Sequence, residues 1–165
     1  MSGFPPPTTP PPGGAAGLPA EWPQRALAWL IDMAPAFVVG ILGGCLSGVF
    51  SAINEGLGMI VMLLIYVAMF GWVIFNYGVK QGTTGYTLGK AIVGLQLVDG
   101  ATRQPVGTGM AIARYFVHIL DSLPCYIGWL WPLWDAKKET FADKILKHAV
   151  VVAPKTDPKA LILGK

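Results

Sequence analysis

The chain has 165 residues, of which 53% are hydrophobic and 13% charged, with a mean hydropathy of +0.54 and a net charge of +3. A soluble domain of this size must cover itself with more polar side chains than that, so composition excludes an ordinary water-soluble fold. The modest positive charge, with no basic groove interleaved with aromatics, also excludes nucleic-acid binding and suits contact with anionic lipid headgroups.

Residues 1–24 form a region of their own. Eight of the fourteen prolines fall there, in runs such as Pro5-Pro6-Pro7 and Pro10-Pro11-Pro12, and the first charged residue is Glu21. A secretory signal needs a basic start and an apolar stretch of about 7–15 residues, and neither is present. The expectation is a disordered, extended polyproline-like tail, solvated unless a partner subunit orders it.

Trp22, Pro23, Gln24 and Arg25 then read as the interfacial start of a helix, since tryptophan favours the headgroup level and arginine can snorkel to phosphate. Two apolar runs follow, giving transmembrane helices at about 26–48 and 57–77. A span needs roughly 20 mostly apolar residues to match a hydrocarbon core of about 30 Å. The two runs contain one acidic or basic residue, Asp32. A carboxylate two turns inside a span costs about 3 kcal/mol on insertion scales, so Asp32 is paired, protonated or functional. The link from Ser51 to Gly56 lacks Lys and Arg and carries Glu55. By the positive-inside rule it faces outward, which puts the N-terminus in the cytoplasm of a multi-pass plasma-membrane protein.

Residues 78–109, with Lys80, Lys90 and Arg103, then return to the cytoplasmic side. Within them, Thr87 to Val98 predicts a surface helix and a short strand, and Asp99-Gly100 is a tight-turn signal of the hairpin kind. The third apolar segment, 115–134, contains His118, Asp121, Pro124 and Pro132. A single crossing would place Lys137, Lys138, Lys144 and Lys147 outside, against the charge rule. A re-entrant helix broken at Pro124 removes the conflict, because irregular backbone is tolerated at membrane depth where protein buries it. The expected fold is therefore an all-α membrane protein with two spans, a Pro-broken third segment, a short cytoplasmic strand or hairpin, and a membrane domain over 25–153. A basic tail, 154–165, ends it.

An internal echo links the first and third segments. Arg25 precedes Asp32 by seven residues and Pro35 by ten; Arg114 precedes Asp121 and Pro124 by the same offsets. Seven residues is close to two helical turns, so each Arg and Asp share a face about 10 Å apart along the axis. His118 lies on the face of Asp121. The structural reading has arginine at the interface and the two carboxyls locking helix to helix. The alternative is a proton or cation site built from Asp32, Asp121 and His118. The spacing favours structure.

The run Arg25-Ala26-Leu27-Ala28-Trp29-Leu30-Ile31-Asp32, then Thr87-Leu88-Gly89-Lys90 leading into Gly94-Leu95-Gln96-Leu97-Val98-Asp99-Gly100, then Arg114, then Phe141-Ala142-Asp143-Lys144 with Val150-Val151-Val152, resembles the RDD family of small membrane proteins. The family is named for one arginine and two aspartates. Arg25 and Asp32 match the first pair, and Asp143 is the best match for the second aspartate, with Asp121 the rival. Where family members often carry Gly-Thr before the final valines, this chain has Lys147-His148-Ala149. The resemblance implies a transmembrane architecture and is compatible with transport of ions or small ligands.

Other chemistry fails on inspection. Gly85 to Lys90 imitates a phosphate loop but has three residues between its glycines and no Ser or Thr after the lysine. His118 and His148 fit no zinc pattern, and nothing points to a metal, a cofactor or a catalytic triad. Cys45 and Cys125 read as small core residues, and Trp129, Trp131 and Trp134 as an interfacial belt or a partner-facing surface. The expected function is a non-catalytic accessory or structural subunit of a larger membrane complex, such as a respiratory or transport assembly, with the bilayer and other membrane subunits as partners. The alternative is a small transporter of protons, cations or small ligands acting as an oligomer.

Overall fold

Helix formation starts one turn before the apolar pattern does. In the computed structural model, which describes residues 17–163, helix α1 runs over Trp22–Ile53. Glu21 and Gln24 close a reciprocal capping box on its first turn, and Pro23 is tolerated there because its missing N–H would be unpaired anyway. The link expected over 51–56 shrinks to one residue. Asn54 ends α1 by donating its N–H to the Phe50 carbonyl and starts α2 (Glu55–Val73) by accepting from the Gly56 and Leu57 N–H groups. Nor does the second span stop at Tyr77. It continues through a π-helical stretch, Ile74–Lys80, into α3 (Gln81–Thr84), and ends where Gly85 adopts φ +79°.

The two long helices meet along small residues. Ser47 donates to the Gly58 carbonyl at 2.8 Å, and a Cβ at Gly43 would collide with Ile65. Their other faces are bare. Phe37, Leu42, Met59 and Phe70 are each between 64% and 70% exposed, far more apolar surface than a water-facing protein carries. Both helices are long and apolar enough to cross a membrane. They are not the buried core of a soluble domain, so the chain reads as a membrane protein with two spans.

A small layer sits against one end of this pair. It contains α4 (Leu88–Val93), strand β1 (Leu95–Asp99), α5 (Thr108–Val117), α6 (Ile119–Ser122), α7 (Ile127–Leu130), a 3-10 turn (Trp131–Leu133), α8 (Phe141–Leu146), strand β2 (His148–Val152) and α9 (Pro158–Leu163). The strand expected before Asp99 is present, but it forms no local hairpin. β1 pairs antiparallel with β2, from Leu95 opposite Val152 to Asp99 opposite His148. Asp99 folds the turn by itself, accepting from Ala101 and Thr102 N–H groups. The distant pairing wins because it buries Leu95, Leu97 and Val150 together with Ala20 and Ala28 of the N-terminal side.

The last residues of the proline-rich region are ordered too. Gly17 donates to Val152, Val152 to Leu18 and Ala20 to Val150, so residues 17–20 line the second edge of β2. The rest of the expected extended tail, residues 1–16, lies outside the described residues. At the other end the basic tail carries α9, tied to α4 by the Thr156 N–H on the Ala91 carbonyl.

The third apolar segment is broken, as its prolines imply, though its first arm begins earlier, at Thr108. After Ser122 the chain turns through Cys125 and Tyr126, both at positive φ, and folds back. Gly128 then sits so close to Asp121 that no Cβ fits, and Trp129 Nε1 donates to Ser122 Oγ at 2.9 Å. Cys45 and Cys125 are both exposed, contrary to their reading as core residues. Of the three tryptophans, Trp129 stacks on His118, Trp131 packs on Phe141 and edge-on against Trp134, and Trp134 is the one that is mostly exposed.

Candidate functional site

Three buried aspartates each hold the start of a short helix, two of them tying the small layer to the long helices and the third, Asp121, binding within that layer. Asp32, inside α1, accepts from the Thr87 hydroxyl (2.6 Å), the Gly89 N–H (2.7 Å) and the Asn76 amide (2.9 Å). Asn76 in turn accepts the Leu88 N–H. This fixes the first turn of α4 against both spans, and Gly89 is required there because a Cβ would run into the Ala28 carbonyl of α1. Asp121 accepts from Phe141 and Ala142 N–H groups at the start of α8 and pairs with His118 Nδ1. Asp143 completes a capping box with Thr140 within α8.

Both arginines converge on that third carboxylate. Arg25 Nη1 lies 2.8 Å from one oxygen of Asp143 and Arg114 Nη2 lies 2.6 Å from the other. Burial alone would raise the Asp143 pKa, but the two guanidinium groups outweigh it and hold the carboxyl well below the usual range. The echo in the sequence therefore does not operate as spaced. Arg25 makes no ion pair with Asp32, nor Arg114 with Asp121, because both side chains reach across to α8 instead. Asp32, Asp121 and His118 likewise form no single cluster: Asp32 is bonded to α4 and the π-helical stretch, and the other two to each other.

Between α1 and the α5–α7 arm lies a cavity of about 670 Å³, within the range of small-molecule sites. Asp32, Gln81 and Arg114 are buried at its floor, joined by Tyr77 and Lys90, while exposed Trp29, Tyr115, Ile119 and Tyr126 form its rim. Lys90 Nζ donates to Gln81 Oε1 at 3.1 Å and stands over the Tyr77 ring. Burial, reinforced by Arg114, pulls its pKa down to about 8. Among the described residues no group of three or more His, Cys, Asp and Glu side chains is arranged to hold a metal ion.

Asn76, Tyr77 and Thr140 were not picked out by sequence reasoning, and Thr87 and Lys90 entered it as part of the family-like run, with no role in a site. Thr87 and Thr140 carried a signal, each being a hydroxyl residue immediately before a short helix, in the pattern of an N-cap. Asn76 had the signal of an amide at the end of an apolar run.

Residues 19–147 match the RDD family. The chain belongs to this family. This RDD chain is 34% identical over 148 residues to the proline-rich antigen homolog of Mycobacterium tuberculosis strain H37Rv, covering 79% of itself and 62% of that protein. It is 35% identical over 143 residues to the proline-rich antigen of Mycobacterium leprae, covering 76% and 57%, and 36% identical over 93 residues to the uncharacterized protein YxaI of Bacillus subtilis, covering 56% of each. The chain thus spans about three fifths of the length of the mycobacterial relatives. No solved structure matches it. In this RDD chain Arg25 engages Asp143 and not Asp121.

Proposed function

We propose that this RDD-family chain is a non-catalytic membrane protein that works by assembly, as an accessory or structural subunit beside a larger membrane protein. One observation carries the reading. Gly40, Gly44 and Gly48 recur every four residues on α1, and a Cβ added at any of them would meet nothing within 4 Å. The small residues that α1 uses against α2, Gly43 and Ser47, are different ones. Helices in lipid associate along such small-residue seams, where backbones approach closely. The occupant this favours is a helix of the partner subunit, and the proline-rich tail adds a segment that loses little entropy on docking.

Gly44→Ile is expected to leave insertion and thermal melting unchanged while removing partners that copurify in mild detergent. Unchanged copurification would refute the seam. The orientation belongs to the same proposal, with the N-terminus cytoplasmic and the α1–α2 turn outside the plasma membrane. In a background lacking Cys45 and Cys125, a cysteine at position 55 should react with an impermeant reagent added to intact cells, and protection there would invert the topology. The cavity supports a second reading, transport by an oligomer, because it collects Asp32, His118, Arg114 and Lys90 in one space.

A further inference from the structure

The cavity floor is cationic beyond what its carboxylates answer. Asp143 is occupied by both arginines, and Asp32 is filled by three neutral donors from Thr87, Asn76 and Gly89. Lys90 remains, with Gln81 as its one hydrogen-bond acceptor and, among the described residues, no carboxylate in ion-pair range. Beside it the Tyr77 hydroxyl is buried and makes no close hydrogen bond, with the Asp32 carboxylate as its neighbour. Lys90 and Tyr77 both line this cavity, and their ammonium and hydroxyl are the two donors that an anionic group there would satisfy.

The rim says what else the occupant carries. Trp29 lies seven residues after Trp22 on α1, about 10 Å further along the axis, and is half exposed. With Ile119 and Tyr126, which are 57% and 66% exposed, it gives the cavity an apolar mouth. We propose that this cavity binds an anionic amphiphile, its phosphate or carboxylate held by Lys90 and Tyr77 and its chain lying over Trp29, Ile119 and Tyr126. The groups around Lys90 agree with this. Arg114 of α5 and Arg25 of α1 disfavour its charge, Asp32 of α1 and Asp143 of α8 favour it, and with burial the balance brings its pKa to about 8. A bound anion offsets that strain. The site is independent of the α1 glycine seam, which lies on a deeper part of the helix.

The test is native mass spectrometry of the full chain released from detergent, titrated with phosphatidylglycerol, phosphatidylcholine and inorganic phosphate. Phosphatidylglycerol should bind in preference to phosphatidylcholine, and Lys90→Gln should weaken it by roughly tenfold or more, the scale of one charge-assisted hydrogen bond. Lys90→Arg, which keeps the charge, should retain most of the preference and guards against a folding defect in the glutamine variant. Ile119→Trp, which fills the mouth, should weaken lipid binding while sparing phosphate. Equal retention of the two lipids, or an undiminished preference in Lys90→Gln, would overturn the proposal. Inorganic phosphate binding as tightly as phosphatidylglycerol would overturn its apolar half.

Discussion

Replacing Asp143 with alanine is expected to destabilise the protein by about 3–5 kcal/mol, the usual cost of removing one partner from a buried ionic cluster. The carboxylate is fully buried, and both guanidinium groups that it holds are nearly so. Without it two cations stand against each other with no counter-ion, and α8 loses its capping box. Thermal melting in detergent measures the effect, and a melting temperature indistinguishable from the parent's would exclude it. Arg25→Ala should cost less, since Arg114 continues to neutralise Asp143. The pH dependence follows from the depressed pKa. A carboxyl held below its unfolded value contributes stability that is present in full above about pH 4 and is lost only as pH falls through the lower folded value. Between about pH 8 and pH 4 this group should therefore leave stability unchanged.

The second large effect belongs to Asp32. Asp32→Leu should strand the Thr87 hydroxyl, the Asn76 amide and the Gly89 N–H, at about 1–3 kcal/mol for each buried donor left unsatisfied. Asp32→Asn should cost about 1 kcal/mol, because its carbonyl still accepts from Asn76 and Gly89 while Thr87 reverses its hydroxyl. Stability thus separates the two variants. Flux into reconstituted vesicles carrying a pH-sensitive dye tests transport on the same proteins. A carboxyl that relays protons cannot be replaced by an amide, so flux above empty vesicles that vanishes in Asp32→Asn would establish the transport reading over assembly.

Much of this was legible in the chain. The two spans, the buried aspartate in the first, the short helix and strand after Thr87 and the break near Pro124 all rest on local signals of period, composition and proline. What could not be read was pairing at a distance. β1 finds its partner far along the chain, and nothing in Leu95–Asp99 points to His148–Val152 over a local turn; only burial of both strands against Ala20 and Ala28 decides it. The arginines misled for a related reason. Spacing along one helix shows which side chains share a face, yet about 10 Å of axis is further than a guanidinium needs to travel when a carboxylate on another element lies 2.8 Å away. The one-residue turn at Asn54 was hidden as well, because Ser51 to Gly56 looks like a loop until one side chain is seen to cap the next helix.

The place of β2 in the chain also orders events during synthesis. Chains emerge N-terminus first, so the two spans and both arginines exist before Asp143 and residues 148–152 have left the ribosome. Until then Arg25 and Arg114 have no carboxylate, residues 17–20 have no edge to join, and β1 is an unpaired strand. Emergence of Asp143 and residues 148–152 is therefore the event that closes the small layer, and a product truncated ahead of Asp143 would present quality-control proteases with an open strand edge beside two uncompensated cations.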